Sequence, residues 1–144
     1  MRSCDTNILF YACHTGCAEH LAAREYFRKI AHDGDFLICE LVLAELYALL
    51  RNPKVVDRPM SASDAARICQ AFRANPAWGI IDYPGGLMDR IWALSVEPHF
   101  GYREIFDARL ALTLLHHGIK EFATRNTSHF ERYGFESLVN PIDR

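Results

Sequence analysis

Residues 1–12 read Met-Arg-Ser-Cys-Asp-Thr-Asn-Ile-Leu-Phe-Tyr-Ala. Chain ends usually fray and carry polar residues; this one runs straight into structure. Met1 to Cys4 is a brief strand candidate, Asp5 follows it at once, and a helix starts near Asn7 and breaks around Thr15-Gly16. A short apolar segment handed on to a helix is the repeating unit of a parallel sheet, whose strands need long crossover connections.

The same unit recurs along the chain. Ala18 to His32 sets Leu21, Tyr26, Phe27 and Ile30 at helical spacing among charged residues. Phe36 to Cys39 suits a buried strand, and the helix Glu40 to Arg51 follows until Asn52-Pro53 ends it. Residues 54–60 form a loop. Ser61 with Asp64 resembles a capping box and opens a helix to about Ala74. Trp78 to Tyr83 is the clearest strand. Helices are expected at Leu87 to Val96 and at Glu104 to His117, the second capped by Gly118. Glu121 to Thr124 and Glu136 to Val139 supply the last strands, with a short helix at Ser128 to Arg132 between them. Short, mostly apolar strands separated by helices predict an α/β fold: a central parallel sheet of about five strands covered by helices on both faces. With 144 residues and no linker, repeat or low-complexity tract, residues 1–144 read as a single domain.

Composition narrows the function. Half the residues are hydrophobic and the net charge is −2, so bulk positive charge does not hold a nucleic acid here, although a local basic rim would. No apolar run reaches membrane-spanning length, and the N-terminus lacks the layout of a secretory signal. Cys4, Cys13, Cys17, Cys39 and Cys69 are odd in number and form no paired clips, which predicts reduced thiols in the cytoplasm. Cys13, His14 and Cys17 lack the second ligand pair of a structural zinc site and read as ordinary thiols and a histidine. His116 and His117 read as helix-end residues.

Ligands of an open parallel sheet bind beyond the carboxyl ends of its strands. Asp5 lies there, after the first strand, and so does Asn126, after the fourth; Glu40 follows the second directly, while Asp82 lies inside its strand. Asp107 and Glu45 sit instead on helices that are mostly apolar, where a carboxylate pairs with something or shifts its pKa. Each acid also has a plain structural explanation. Asp5 is a good helix N-cap, Asp107 suits the positive start of its helix, and Glu45 has arginines to pair with. Taken together, three facing acids need a cation, and oxygen-only ligation selects Mg²⁺ or Mn²⁺ over zinc.

Four segments resemble one family. Cys4–Ala12, the helix Leu41–Pro53, Ile105–Leu112 and Glu121–Pro141 resemble, in order and spacing, the motifs of PIN-domain ribonucleases, and within them the VapC toxins of toxin–antitoxin pairs. The resemblance covers essentially the whole chain. It implies a PIN-like three-layer α/β/α domain and an acidic pocket that binds Mg²⁺ or Mn²⁺ and cuts RNA. Carried over by motif, the acids are Asp5, Glu45 and Asp107. The fourth position falls on Asn126, where many members have Asp, and His129 stands where many have an acid. Glu40 is an additional acid near the pocket, or simply the N-terminal charge of its helix.

The expected reaction is metal-assisted hydrolysis of an RNA phosphodiester. Asp5, Glu45 and Asp107 bind the ion, Thr6 and Asn7 steady Asp5, and Thr124 with Asn126 orients water or phosphate. Arg51, Arg103, Arg109 and Arg125 are candidates for a basic rim, each equally suited to a solvated helix face. Tyr102 and Phe100 are candidates for base stacking, Phe100 also for the core. The family further implies a cognate antitoxin of VapB type and a homodimer or toxin–antitoxin hetero-oligomer. Two other readings stand beside this one. A haloacid-dehalogenase-type phosphatase wants a second Asp where Asn7 stands. A PIN-like module that binds RNA or protein without cutting it is favoured by Asn126.

Overall fold

The computed structural model describes residues 1–143. Five three-residue strands alternate with six α-helices among them: β1 (Arg2–Cys4), α1 (Thr6–Cys13), α2 (His20–Ile30), β2 (Leu37–Cys39), α3 (Glu40–Leu50), α4 (Ala62–Arg73), β3 (Gly79–Ile81), α5 (Leu87–Ser95), α6 (Glu104–His116), β4 (Glu121–Ala123) and β5 (Ser137–Val139). Two short 3-10 turns, Thr127–His129 and Glu131–Tyr133, bridge the last two strands, where a short helix was expected at 128–132. The other expected elements are all present, most of them trimmed at their ends. β3 is shorter than 78–83 because only Gly79, Ile80 and Ile81 find partners, opposite Leu37, Ile38 and Cys39.

Every strand pair is parallel. β1 pairs with β4 and β4 with β5, while β2 pairs with β3. These two ladders meet at one parallel bridge, Arg2 to Phe36, reinforced by the Arg2 N–H donating to the Asp35 carbonyl at 2.9 Å. The spatial order is therefore 3-2-1-4-5. From β1 the chain steps outward through β2 to β3, then crosses back to β4. Right-handed crossovers put α1 to α4 on one face of such a layer and α5 with α6 on the other. This is the three-layer arrangement, and it reverses direction between β1 and β4.

The cores follow the same division. Ile8 and Leu9 of α1, Ile38 of β2, Val42 and Leu46 of α3 and Phe122 of β4 are fully buried in the main core. Leu87 and Ile91 of α5 pack with Ala108 and Leu112 of α6 in a smaller one. Helix α6 also sends Leu110, Ala111 and Leu114 to the main core. It is apolar nearly all round because it is clamped between α5 and the strands. Local chemistry sets the ends. Ser61 Oγ accepts the Asp64 N–H at 3.1 Å and starts α4, as its sequence predicts. Gly118, at φ +81°, follows α6 in the left-handed conformation that glycine adopts without strain. Gly79 lies against the Leu37 side chain, whose end would have to shift to admit a β-carbon there.

Candidate active site

Asp5 occupies the single residue between β1 and α1. Its N–H donates to the Ala123 carbonyl of β4 at 2.8 Å, so it is fixed at the point where the strand order reverses. Its side chain does two things at once. Oδ1 accepts the Thr6 N–H at 2.8 Å and caps α1, while Oδ2 accepts the Thr124 hydroxyl at 2.8 Å and, more weakly, the Asn7 amide at 3.4 Å. The plain N-cap reading and the pocket reading are both realised, each by a different oxygen.

Thr6 joins this acid to the next. Its hydroxyl donates to Glu45 Oε2 at 2.6 Å, tying α1 to α3 across 39 residues of sequence. Asp107, in the first turns of α6, lies with Oδ2 3.8 Å from His129 Nδ1. Three segments far apart in the chain thus place their carboxylates around the crevice at the β1–β4 junction, within electrostatic reach of one another.

The electrostatics tie the three together. Burial is the largest influence on each and pushes all three carboxyls above their ordinary range. Hydrogen bonds from Thr124 and Thr6 pull Asp5 partly back, and Thr6 does the same for Glu45. For Asp107 the nearby His129 has the restraining role. The charge of Asp107 raises Asp5, that of Asp5 raises Glu45, and that of Glu45 raises Asp107. Each acid therefore sits in the repulsive field of another, around a closed ring.

Among the described residues, no three His, Cys, Asp or Glu side chains are gathered closely enough to grip one ion. The carboxylates are spread, each drawn to its own donor: Thr124, Thr6 or His129. Mutual repulsion beside competing donors produces this arrangement. The donor set still suits a hard divalent cation. It is all oxygen, and a double positive charge relieves the shared upward pressure on the three carboxyls.

The remaining candidates divide. Thr124 is fully buried and in place, and Asn7 is half-buried beside Asp5 with its Oδ1 unpartnered. Asn126 is exposed; its backbone N–H donates to Thr124 Oγ1 at 3.1 Å, which steadies the hydroxyl that holds Asp5. Glu40 turns to α4, where it pairs with Arg73 at 2.6 Å, so it joins a helix–helix contact rather than the crevice. Arg51 donates to the Tyr47 hydroxyl at 2.8 Å on its own helix. Arg109 lies 4.1 Å over the ring of Tyr83. Arg125 pairs with Glu19 at 2.7 Å and Asp143 at 3.1 Å and reaches the Tyr11 hydroxyl at 3.2 Å. It clamps the segment after β4 to the start of α2 and to the chain's end. Arg103 has no carboxylate partner among the described residues. Sequence reasoning passed over Arg132, which pairs with Glu104 at 2.7 Å and lies 3.8 Å from Glu97; a lone arginine 28 residues from its partner leaves no local signal.

The sequence matches the PIN domain family over residues 3–136. Ribonuclease VapC24 of Mycobacterium tuberculosis is 49% identical over 142 residues, spanning 99% of this chain and 97% of the relative. Two solved structures share the fold. VapC20 of Mycobacterium tuberculosis, described as a sarcin–ricin loop cleaving toxin, gives a TM-score of 0.69 at 18% identity over 94% of this chain and 96% of that one. VapBC2 of Rickettsia felis, bound to a DNA fragment from its promoter, gives 0.61 at 18% identity over 96% and 97%. At such identities these two speak for the architecture alone. With the family match spanning almost its full length and a relative at near half identity, this chain belongs to the PIN-domain family, in the group of the VapC ribonucleases.

Proposed function

We propose that this chain is a metal-dependent endoribonuclease that acts as the toxin of a toxin–antitoxin pair. The observation that carries the reading is the mutual electrostatic coupling of Asp5, Glu45 and Asp107, with Asp5 at the point where the strand order reverses, the usual ligand position of an open parallel sheet. The kinship with Ribonuclease VapC24 supports the substrate class. Asp5, Asp107 and Glu45 would hold Mg²⁺ or Mn²⁺. Such an ion, when bound, supplies a Lewis acid for the phosphoryl oxygen and a water acidic enough to attack at neutral pH.

The chain's own residues do the rest. Thr124 and the Thr6 N–H fix the two oxygens of Asp5, so its carboxylate cannot rotate away from the crevice. The Thr6 hydroxyl aims Glu45 toward Asp5. Asn126 orients water or phosphate at the exposed end of the same segment. Arg103 attracts the RNA backbone. Thr124→Val tests the positioning: it keeps the shape, removes the hydroxyl that two partners use, and is expected to lower the cleavage rate by about 10- to 100-fold. Single-turnover cleavage measures it.

Metal removal tests the reaction. Protein treated with EDTA is expected to leave total cellular RNA intact, and adding Mg²⁺ or Mn²⁺ should restore cleavage with defined ends. Undiminished cutting in EDTA counts against the mechanism. The second reading, a PIN-like module that binds without cutting, is favoured by the neutral Asn126 and by the spread carboxylates. It predicts that RNA is retained and stays intact at every metal concentration.

We assign this chain an antitoxin of VapB type as partner on the strength of its kinship with Ribonuclease VapC24. Exposed Trp92 on α5 and Val96 just after it offer apolar surface for the antitoxin or for a second copy in a homodimer. The five cysteines are free thiols, which supports a reducing cytoplasmic setting, and no helix among the described residues is long and apolar enough to cross a membrane.

A further inference from the structure

Asp107 faces a second space besides the acidic crevice. A groove of about 400 Å³ runs from it between the loop before α6 and the 3-10 turns after β4. Its lining carries the guanidinium groups of Arg103 and Arg132, the His129 imidazole and the carboxyls of Glu104 and Asp107, and its lip carries Tyr102.

The loop that holds Tyr102 is pinned on both sides. Phe100 packs against the small core around Leu87 and Ile91. Glu104 is held by Arg132 at 2.7 Å. Between these anchors Tyr102 points outward, 86% exposed, the most exposed large apolar side chain among the described residues. Its ring has one companion, the Arg103 guanidinium 5.6 Å from its centre. Single exposed apolar side chains are common and need no explanation by themselves. This one stands between two anchored neighbours, next to a cation with no carboxylate partner among the described residues, at the rim of a groove that opens on Asp107. Arg132 is committed to bracing the loop, so Arg103 is the cation available to an incoming anion.

We propose that this groove receives one unpaired nucleotide next to the scissile phosphate, with the base stacked on Tyr102 and a backbone phosphate facing Arg103, and that Tyr102 thereby directs cutting to unpaired stretches. Unpaired bases are recognised by stacking on aromatic rings and guanidinium planes, whereas a paired base presents no free face. The proposal rests on the ribonuclease reading and specifies its substrate contact.

The experiment uses the full chain and a short fluorescein-labelled single-stranded RNA spanning a cut mapped in total cellular RNA. Tyr102→Ala is expected to raise KM about 10-fold or more, with kcat changed less than about twofold, and to redistribute the cut positions. Tyr102→Phe, which keeps the ring face, should recover the lost KM. Circular dichroism checks that both variants fold. Equal KM and an unchanged cut map for Tyr102→Ala overturn the proposal. So does a variant that loses affinity for the antitoxin while its RNA kinetics stay the same, which would give the groove to a protein partner. Fluorescence anisotropy with the same RNA separates the two levels. RNA bound through Tyr102 but never cut keeps the subsite and removes the ribonuclease reading. Equal affinity in Tyr102→Ala and the parent removes the subsite whether or not RNA is cut.

Discussion

Asp107→Asn is expected to lower RNA cleavage by about 100-fold or more and, in the same molecule, to raise the melting temperature of the metal-free protein. The loss follows from the role proposed for this oxygen. Removing groups that merely orient a metal ligand costs about 10- to 100-fold, so replacing the ligand should cost at least the upper figure. The gain follows from the electrostatics. The Asp107 carboxyl is pushed up by burial first, and the charges of Glu45 and Glu104 add to that against the restraint of His129. A neutral amide of the same shape relieves the strain. A rise of about 2–4 °C at neutral pH is the scale for one relieved site in a domain of this size.

The pH dependence has a definite sign. Each of the three carboxyls has a folded pKa above its ordinary value. The folded chain therefore holds more protons than the unfolded one over that interval, and stability falls as pH rises through it. The contribution is fully present below the ordinary carboxyl range, about pH 4, and is lost as pH passes the raised values. Melting curves in EDTA across pH should show a shallower decline for Asp107→Asn than for the parent. Glu19 and Asp143 are held low, by Arg125 and by Asn140 respectively, but they are common to both proteins and cancel in the comparison. Full RNA cleavage by Asp107→Asn would falsify the proposed mechanism.

Phe122→Ala is expected to cost about 3–5 kcal/mol, a large share of the roughly 5–15 kcal/mol that holds a domain together. Phe122 is fully buried in β4, between β1 and β5, and its ring meets Phe130 edge-on at 4.9 Å and stacks on Phe135 at 5.1 Å. Truncation leaves a void that three strands and the following turns cannot close without losing their pairing. The residue also stands two positions before Thr124, so the hydroxyl that holds Asp5 would lose its fixed base. Urea unfolding of parent and variant measures the difference. A cost below about 1 kcal/mol would mean that the region collapses around the gap, against the rigid packing described here.

How much of this was legible in the sequence depends on how far the partners lie apart along the chain. The helices and strands were readable because their causes are local: the Ser61–Asp64 cap, the stop at Asn52-Pro53 and the glycine after α6 act within a few residues. Asp5 was legible twice, as an N-cap and as an acid beyond a strand, and it is both. Glu40 was not resolved. Two roles were open, and its partner Arg73 lies 33 residues away on a helix whose packing angle no local pattern reports. Thr6 steadies Asp5 as its place in the motif suggests, through its backbone N–H, while its hydroxyl serves Glu45, a partner 39 residues away that no local pattern reports. Arg125 was a rim candidate and is instead a clamp, since Glu19 and Asp143 reach it only in the folded chain. Of the two aromatic candidates, Phe100 went to the core and Tyr102 to the surface, a choice made by one turn of loop.

The lone bridge between Arg2 and Phe36 has a mechanical meaning for the acids. Asp5 grows from one half of the strand layer and Glu45 from the other, and the 2.6 Å hydrogen bond from Thr6 is a stitch across that fault line. A small slide of one half against the other changes the spacing of the oxygens before either ladder has to break. How tightly the crevice can close on a positive charge and how firmly the two halves stay in register are, in this protein, one and the same property.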